Sequence, residues 1–145
     1  MKSSPAGRNR GLSLATNQFA NEYRKNAING ASPLQLIVML YDGALRNIEA
    51  GRVAMSRQDY PRQNQAIQQA QKIILELLAC VDVVNGGEIA KNLIALYEYV
   101  VNELVKANIE DNPEALAHCA RVLSDLRQTW NDLDSQIRTE IAHAA

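Results

Sequence analysis

Apolar residues in this chain recur by threes and fours rather than by twos. Leu116, Cys119, Leu123, Leu126, Trp130, Leu133, Ile137 and Ile141 give the cleanest run. Ile67, Ala70, Ile74, Leu77 and Val81 form a second, and Ala90, Leu93, Tyr97, Val100, Leu104 and Ala107 a third. Leu34, Ile37, Tyr41, Ala44, Ile48 and Met55 form a fourth. At 3.6 residues per turn each set lies on one side of a helix. Ser32-Pro33-Leu34-Gln35 reads as a capping box with proline at the first helical position, predicting a helix to about Arg57. Asp59 and Pro61 mark a turn and a restart that runs to about Val84, where Gly86-Gly87 is the stop. Glu88 opens the next helix, and Asn112-Pro113-Glu114 starts the last. The pattern predicts an all-α fold, an antiparallel up-and-down four-helix bundle.

Ahead of these helices, residues 1–17 are rich in Ser, Gly, Asn and Arg without periodicity and are expected to be a flexible arm. Phe19, Tyr23 and Ala27 predict a short cap helix from about Gln18 to Ile28, broken by Asn29-Gly30. Residues 18–145 are therefore expected to form a single bundle domain.

Composition narrows the classes. Of 145 residues 47% are hydrophobic, enough for a core, and with one Phe and one Trp that core must be largely aliphatic. A formal net charge of −1 gives no general pull towards nucleic acid or anionic lipid. Cys80 and Cys119 fall on apolar helical faces and are expected to be buried, reduced thiols. No stretch reaches the ~18 apolar residues of a membrane span. No apolar segment follows Lys2, Arg8 and Arg10 as in a signal peptide. A cytoplasmic protein without membrane insertion is expected.

Candidate chemistry is sparse. The predicted inner faces carry no acid, and Glu114 with His118 supplies only a fragment of a bundle metal site, so no metal or cofactor is expected. Arg138-Thr-Glu-Ile-Ala-His143 resembles the arginine-x4-histidine of helical HEPN ribonucleases, with His143 as general acid/base and Arg138 steadying a phosphate. The plain reading of the same residues is a solvated helix end.

One feature asks for more than a bundle. Leu34, Leu36, Ile37, Val38, Met39, Leu40 and Tyr41 are interrupted only by Gln35. One face of that helix meets the bundle, and a second must be covered by the N-terminal helix, another copy of the chain or another protein. Gly43 permits a close approach, by a neighbouring bundle helix or by an incoming peptide. Leu93, Ile94, Leu96, Tyr97, Tyr99, Val100 and Val101 also exceed one stripe. The pattern describes a module with a spare apolar groove for an amphipathic helix.

Ala31-Ser32-Pro33 with Gln35 through Ala44, Gly86 through Leu93, Leu96 through Tyr99, Leu104 through Asn108, and Trp130-Asn131 together resemble the flagellar secretion chaperones of the FliS family. The resemblance implies a non-enzymatic bundle with a short N-terminal cap. Its implied task is to hold the disordered C-terminal segment of flagellin in hydrophobic grooves and deliver it to the cytoplasmic domain of the export gate. An anti-sigma factor or co-chaperone is a further partner it leaves open, and a self-associating bundle, as a weak homodimer, is a third reading. Carried onto this chain, the partner-binding residues are Tyr23, Ile28, Ser32, Pro33, Leu36, Ile37, Met39, Leu40, Tyr41, Asp42 and Gly43. To these the second block adds Leu93, Leu96, Tyr97 and Tyr99.

Overall fold

The computed structural model describes residues 32–144. The expected arm and cap helix lie outside them, as do Tyr23 and Ile28. The described residues form four α-helices and no strand: α1 (Pro33–Ser56), α2 (Tyr60–Ala79), α3 (Val83–Glu110) and α4 (Pro113–Ala144). The all-α, four-helix reading is thus what the chain adopts.

Local chemistry fixes most of the ends. Gln35 N–H donates to Ser32 Oγ at 3.1 Å while Ser32 N–H donates to Gln35 Oε1 at 3.0 Å, closing the capping box at α1. Asp59 Oδ1 accepts from Arg62 N–H to cap α2, and Asn112 Oδ1 accepts from Glu114 and Ala115 N–H at the start of α4. Gln58 and Asp111, with φ of 58° and 52°, end α1 and α3 in the left-handed region.

The α2–α3 junction differs from expectation. Helix α2 stops at Ala79, not near Val84, because Asp82 accepts from Asn85 N–H at 3.1 Å and caps a new turn, Val83 to Gly86. Gly86-Gly87 still interrupts the helix as expected, separating that short turn from the helix that continues from Glu88. The interruption is a kink inside α3, where Gly87 takes φ 56°, ψ −133°, a conformation open to glycine alone among the residues.

Short turns make neighbours antiparallel, and the helices touch in ring order: α1 meets α2 and α4, and α3 meets α2 and α4. The α1–α2 contact is close because it is built on small residues. A Cβ at Gly51 would lie 2.8 Å from Ile67 Cγ1, and one at Gly43 would lie 3.3 Å from Ile73 Cδ1. The core is Tyr41, Ala44, Ile48, Ile67, Ala70, Ile74, Leu77, Tyr97, Val100, Leu104, Leu116, Cys119 and Leu123 with their neighbours.

Across the diagonal, where α1 and α3 make no backbone contact, a polar link joins them. The Tyr41 and Tyr97 hydroxyls share a hydrogen bond of 2.5 Å, and Trp130 Nε1–H of α4 donates to Tyr41 Oη at 3.0 Å. Two expectations about the interior are overturned. Cys80 is exposed at the C-terminal end of α2, beyond the last residue of its buried stripe, and only Cys119 is buried. An acid does enter the interior: Asp134 is buried and accepts from Arg138 Nη2 at 2.6 Å through Oδ2, while its Oδ1 has no hydrogen-bond partner. The α4 stripe passes through Trp130, Asp134 and Ile137, which places Leu133 only half inside.

Gly51→Ala is expected to destabilise by about 1 kcal/mol net, because overpacking against the fully buried Ile67 costs about 1–3 kcal/mol and helix propensity returns about 1 kcal/mol. Gly43→Ala, facing the yielding tip of half-buried Ile73, should stay within about 0.5 kcal/mol of the parent. Urea unfolding of the two variants checks the contrast. Burial raises the hydroxyl pKa of Tyr41 and Tyr97 and pushes the Cys119 thiol up to about 11. Groups raised on folding stabilise fully below their unfolded pKa and lose that contribution as pH climbs to the folded value. Stability should therefore fall above pH 9.0, the ordinary thiol value, and Tyr97→Phe should blunt the fall in a pH series of melts.

Candidate functional site

The residues singled out in the sequence separate by depth. Leu36 and Met39 stand on the outer side of α1, 50% and 60% exposed. Ile37, Leu40 and Leu93 are half-buried against the core, and Leu96 is half-buried as well. Ser32 is buried as the cap of α1 and Pro33 is half-buried beside it. Tyr41, Tyr97 and Gly43 lie inside the bundle and offer a partner no surface in this conformation. The neighbour that packs on Gly43 is α2, through Ile73. Tyr99 is exposed, with its hydroxyl 2.9 Å from His118 Nε2.

Asp42 has a role the sequence did not reveal. It accepts from Arg127 Nε of α4, a pair with both side chains about one-third exposed, and so ties the outer edges of α1 and α4 together.

Antiparallel packing puts six of the ten exposed large apolar residues at one end of the bundle, while Tyr60, Val105 and Ile109 stand towards the other. Leu36 and Met39 occupy the first two turns of α1, Leu75 the end of α2, and Val83, Val84 and Ile89 the beginning of α3. All six belong to the same end of the bundle. Sequence reasoning missed Leu75, Val83, Val84 and Ile89. Val83 and Val84 were assigned to the tail of the preceding helix, whereas the Asp82 cap makes them the first turn of the next. Ile89 stood within the Gly86–Leu93 block and could have been found there.

This surface is a face rather than a pocket. The concavities of about 310 and 290 Å³ lie at the opposite end, around the α1–α2 turn, lined by Arg57, Asp59 and Arg62 on one side and by Gln58, Tyr60 and Asp111 on the other. Among the described residues no cluster of His, Cys, Asp or Glu could hold a metal ion, and no helix is long and apolar enough to cross a membrane. Arg138, the arginine of the ribonuclease-like pattern, holds the buried Asp134 carboxylate, and His143 is exposed in the last turn of α4.

A bundle with a closed polar centre and an apolar end face left open has the build of a helix-binding module, a protein that acts through a surface. The chain belongs to the flagellar protein FliS family, whose model matches residues 15–137. The flagellar secretion chaperone FliS of Salmonella typhimurium is 34% identical over 116 residues, covering 79% of this chain and 86% of that protein. Its counterpart in Bacillus subtilis is 33% identical over 108 residues, covering 74% and 80%. That of Vibrio cholerae is 30% identical over 106 residues, covering 73% and 78%. The family is one of flagellar secretion chaperones, which implies a partner in flagellar export.

Asp42→Asn is expected to cost less than about 1 kcal/mol of stability, since the Asp42–Arg127 pair is partly solvated and screened. Thermal melts of Asp42→Asn and Arg127→Gln at low and high salt check this. A loss of more than about 2 kcal/mol would show a structural role beyond a surface ion pair.

Proposed function

We propose that this protein is a cytoplasmic export chaperone that binds the C-terminal segment of flagellin, keeps it from polymerising and delivers it to the cytoplasmic domain of the flagellar export gate. It acts by binding and carries out no catalysis. The observation that carries this reading is the open apolar end face, with Leu36 and Met39 at its α1 edge. A disordered segment that becomes an amphipathic helix would bury its own stripe on such a face, and each exposed Leu or Met covered contributes up to about 1.5–3 kcal/mol. Occupying the stripe keeps the segment from the contacts it makes in a filament. Membership of a secretion-chaperone family supports the export role.

The test is calorimetric titration of the full chain with the C-terminal segment of flagellin from the same organism. Saturable binding with a negative heat-capacity change is the expected result, because apolar surface is buried. Absence of any complex, by heat or by gel filtration, would sink the proposal. Met39→Glu should weaken that binding by about tenfold or more, yet change stability by less than about 0.5 kcal/mol, since the side chain faces solvent. Unchanged affinity in this variant would move the client surface away from α1.

A further inference from the structure

Tyr99 is an exposed aromatic with partners on the neighbouring helix. It is 44% exposed on α3, yet α4 holds it at two points. Its hydroxyl lies 2.9 Å from His118 Nε2, and its ring meets the imidazole edge-on, with centroids 5.9 Å apart and planes at 85°. The hydroxyl also reaches Glu103 Oε1, one turn along α3, at 3.5 Å. Proton placement works in either tautomer. With the proton on Nε2, His118 donates to Tyr99 Oη and the phenol O–H points to Glu103. With the proton on Nδ1, the phenol O–H donates to Nε2. In both, the tyrosine hydroxyl is bonded to a half-buried residue of the neighbouring helix.

Tyr60 provides the contrast. It is 52% exposed at the other end of the bundle, and among the described residues its side chain has neither a hydrogen bond nor a ring contact. Tyr99 instead shares one side of α3 with Leu96 and Ile89, which come three and ten residues earlier and lead towards the open end face. An aromatic held in place beside an apolar strip is what a binding surface needs. It offers large contact area, and its rotamer freedom has already been given up before the partner arrives.

We propose that His118 is a positioning residue for client binding, holding Tyr99 as a pre-ordered aromatic anchor for the amphipathic helix that docks along α3. The inference rests on the client-binding reading above and extends the client surface from the end face along α3 to the α3–α4 seam. His118 does not touch the client; it acts through Tyr99.

The experiment combines calorimetry of full-length variants against the flagellin C-terminal segment with NMR relaxation of the Tyr99 ring in the free protein. Tyr99→Ala should weaken binding by about tenfold or more. His118→Leu should weaken it by about fivefold, the scale of ordering one side chain, and should increase Tyr99 ring motion before any client is added. Tyr99→Phe, which removes only the hydroxyl, should lose a similar factor, and combining it with His118→Leu should add little. His118→Gln returns a hydrogen-bonding group to the Nε2 position and should recover most of the affinity. Failure of the parent protein to bind would sink the client reading and this inference with it. Normal parent binding that His118→Leu leaves unchanged would overturn the positioning role alone. So would an equal loss from His118→Leu when Tyr99 is already Ala.

Discussion

The hydrogen bond between Tyr41 and Tyr97 sets the geometry on which the rest depends. Helices in a ring-ordered bundle contact their neighbours, and the diagonal is otherwise spanned only by the filling of the core. Here two phenols reach across it at 2.5 Å, and the indole of Trp130 closes the group from a third helix. A buried hydroxyl without a partner costs roughly 1–3 kcal/mol, so the three groups specify a rotation for each of α1, α3 and α4 in which all of them meet. Leu or Phe at these sites would fill the space without fixing the rotation. Once the rotation is set, the opposite faces follow. With Tyr41 inward, Leu36 and Met39 point out; with Tyr97 inward, Tyr99 falls at the α4 edge, within reach of His118.

A bundle built this way keeps its packed core and its exposed apolar surface on different sides of the same helices. The aliphatic core, the small-residue seam of Gly43 and Gly51 and the phenol–indole group hold the bundle together. The exposed Leu, Met, Val and Ile side chains of the end face add little to that and remain available. The division explains how a domain of this size can leave apolar surface open without collapsing onto it: the helices are already held in rotation by polar contacts that any slide would break.

Much of this was legible in the sequence because it is local. Ser32-Pro33-Gln35 and Asn112-Pro113 are helix starts wherever they occur before a periodic run, and the runs themselves assigned nearly every core residue. What was not legible depended on how helices meet. Gly86-Gly87 reads as a break and is one, but the Asp82 cap adds a short turn, Val83–Gly86, ahead of it, which the sequence pattern alone did not separate from the preceding helix. Gly43 was ambiguous between a helix neighbour and a peptide until Ile73 was found beside it. Asp134 enters the interior because the α4 stripe drifts past Leu133, a matter of a few tens of degrees in helix phase. Of the exposed apolar surface, the α1 edge could be read from the excess of apolar residues. The Asp42–Arg127 tie and the Tyr99–His118 contact pair residues far apart in the chain, and no local pattern announces them.

The position of the single tryptophan has a spectroscopic consequence. Trp130 is the chain's only indole, and its N–H is bonded to a phenol where three helices converge. Its emission colour is therefore sensitive to that bond, and so reports whether α1, α3 and α4 remain assembled. The protein thus contains a built-in optical gauge of its own integrity, one that responds to changes at the centre of the bundle.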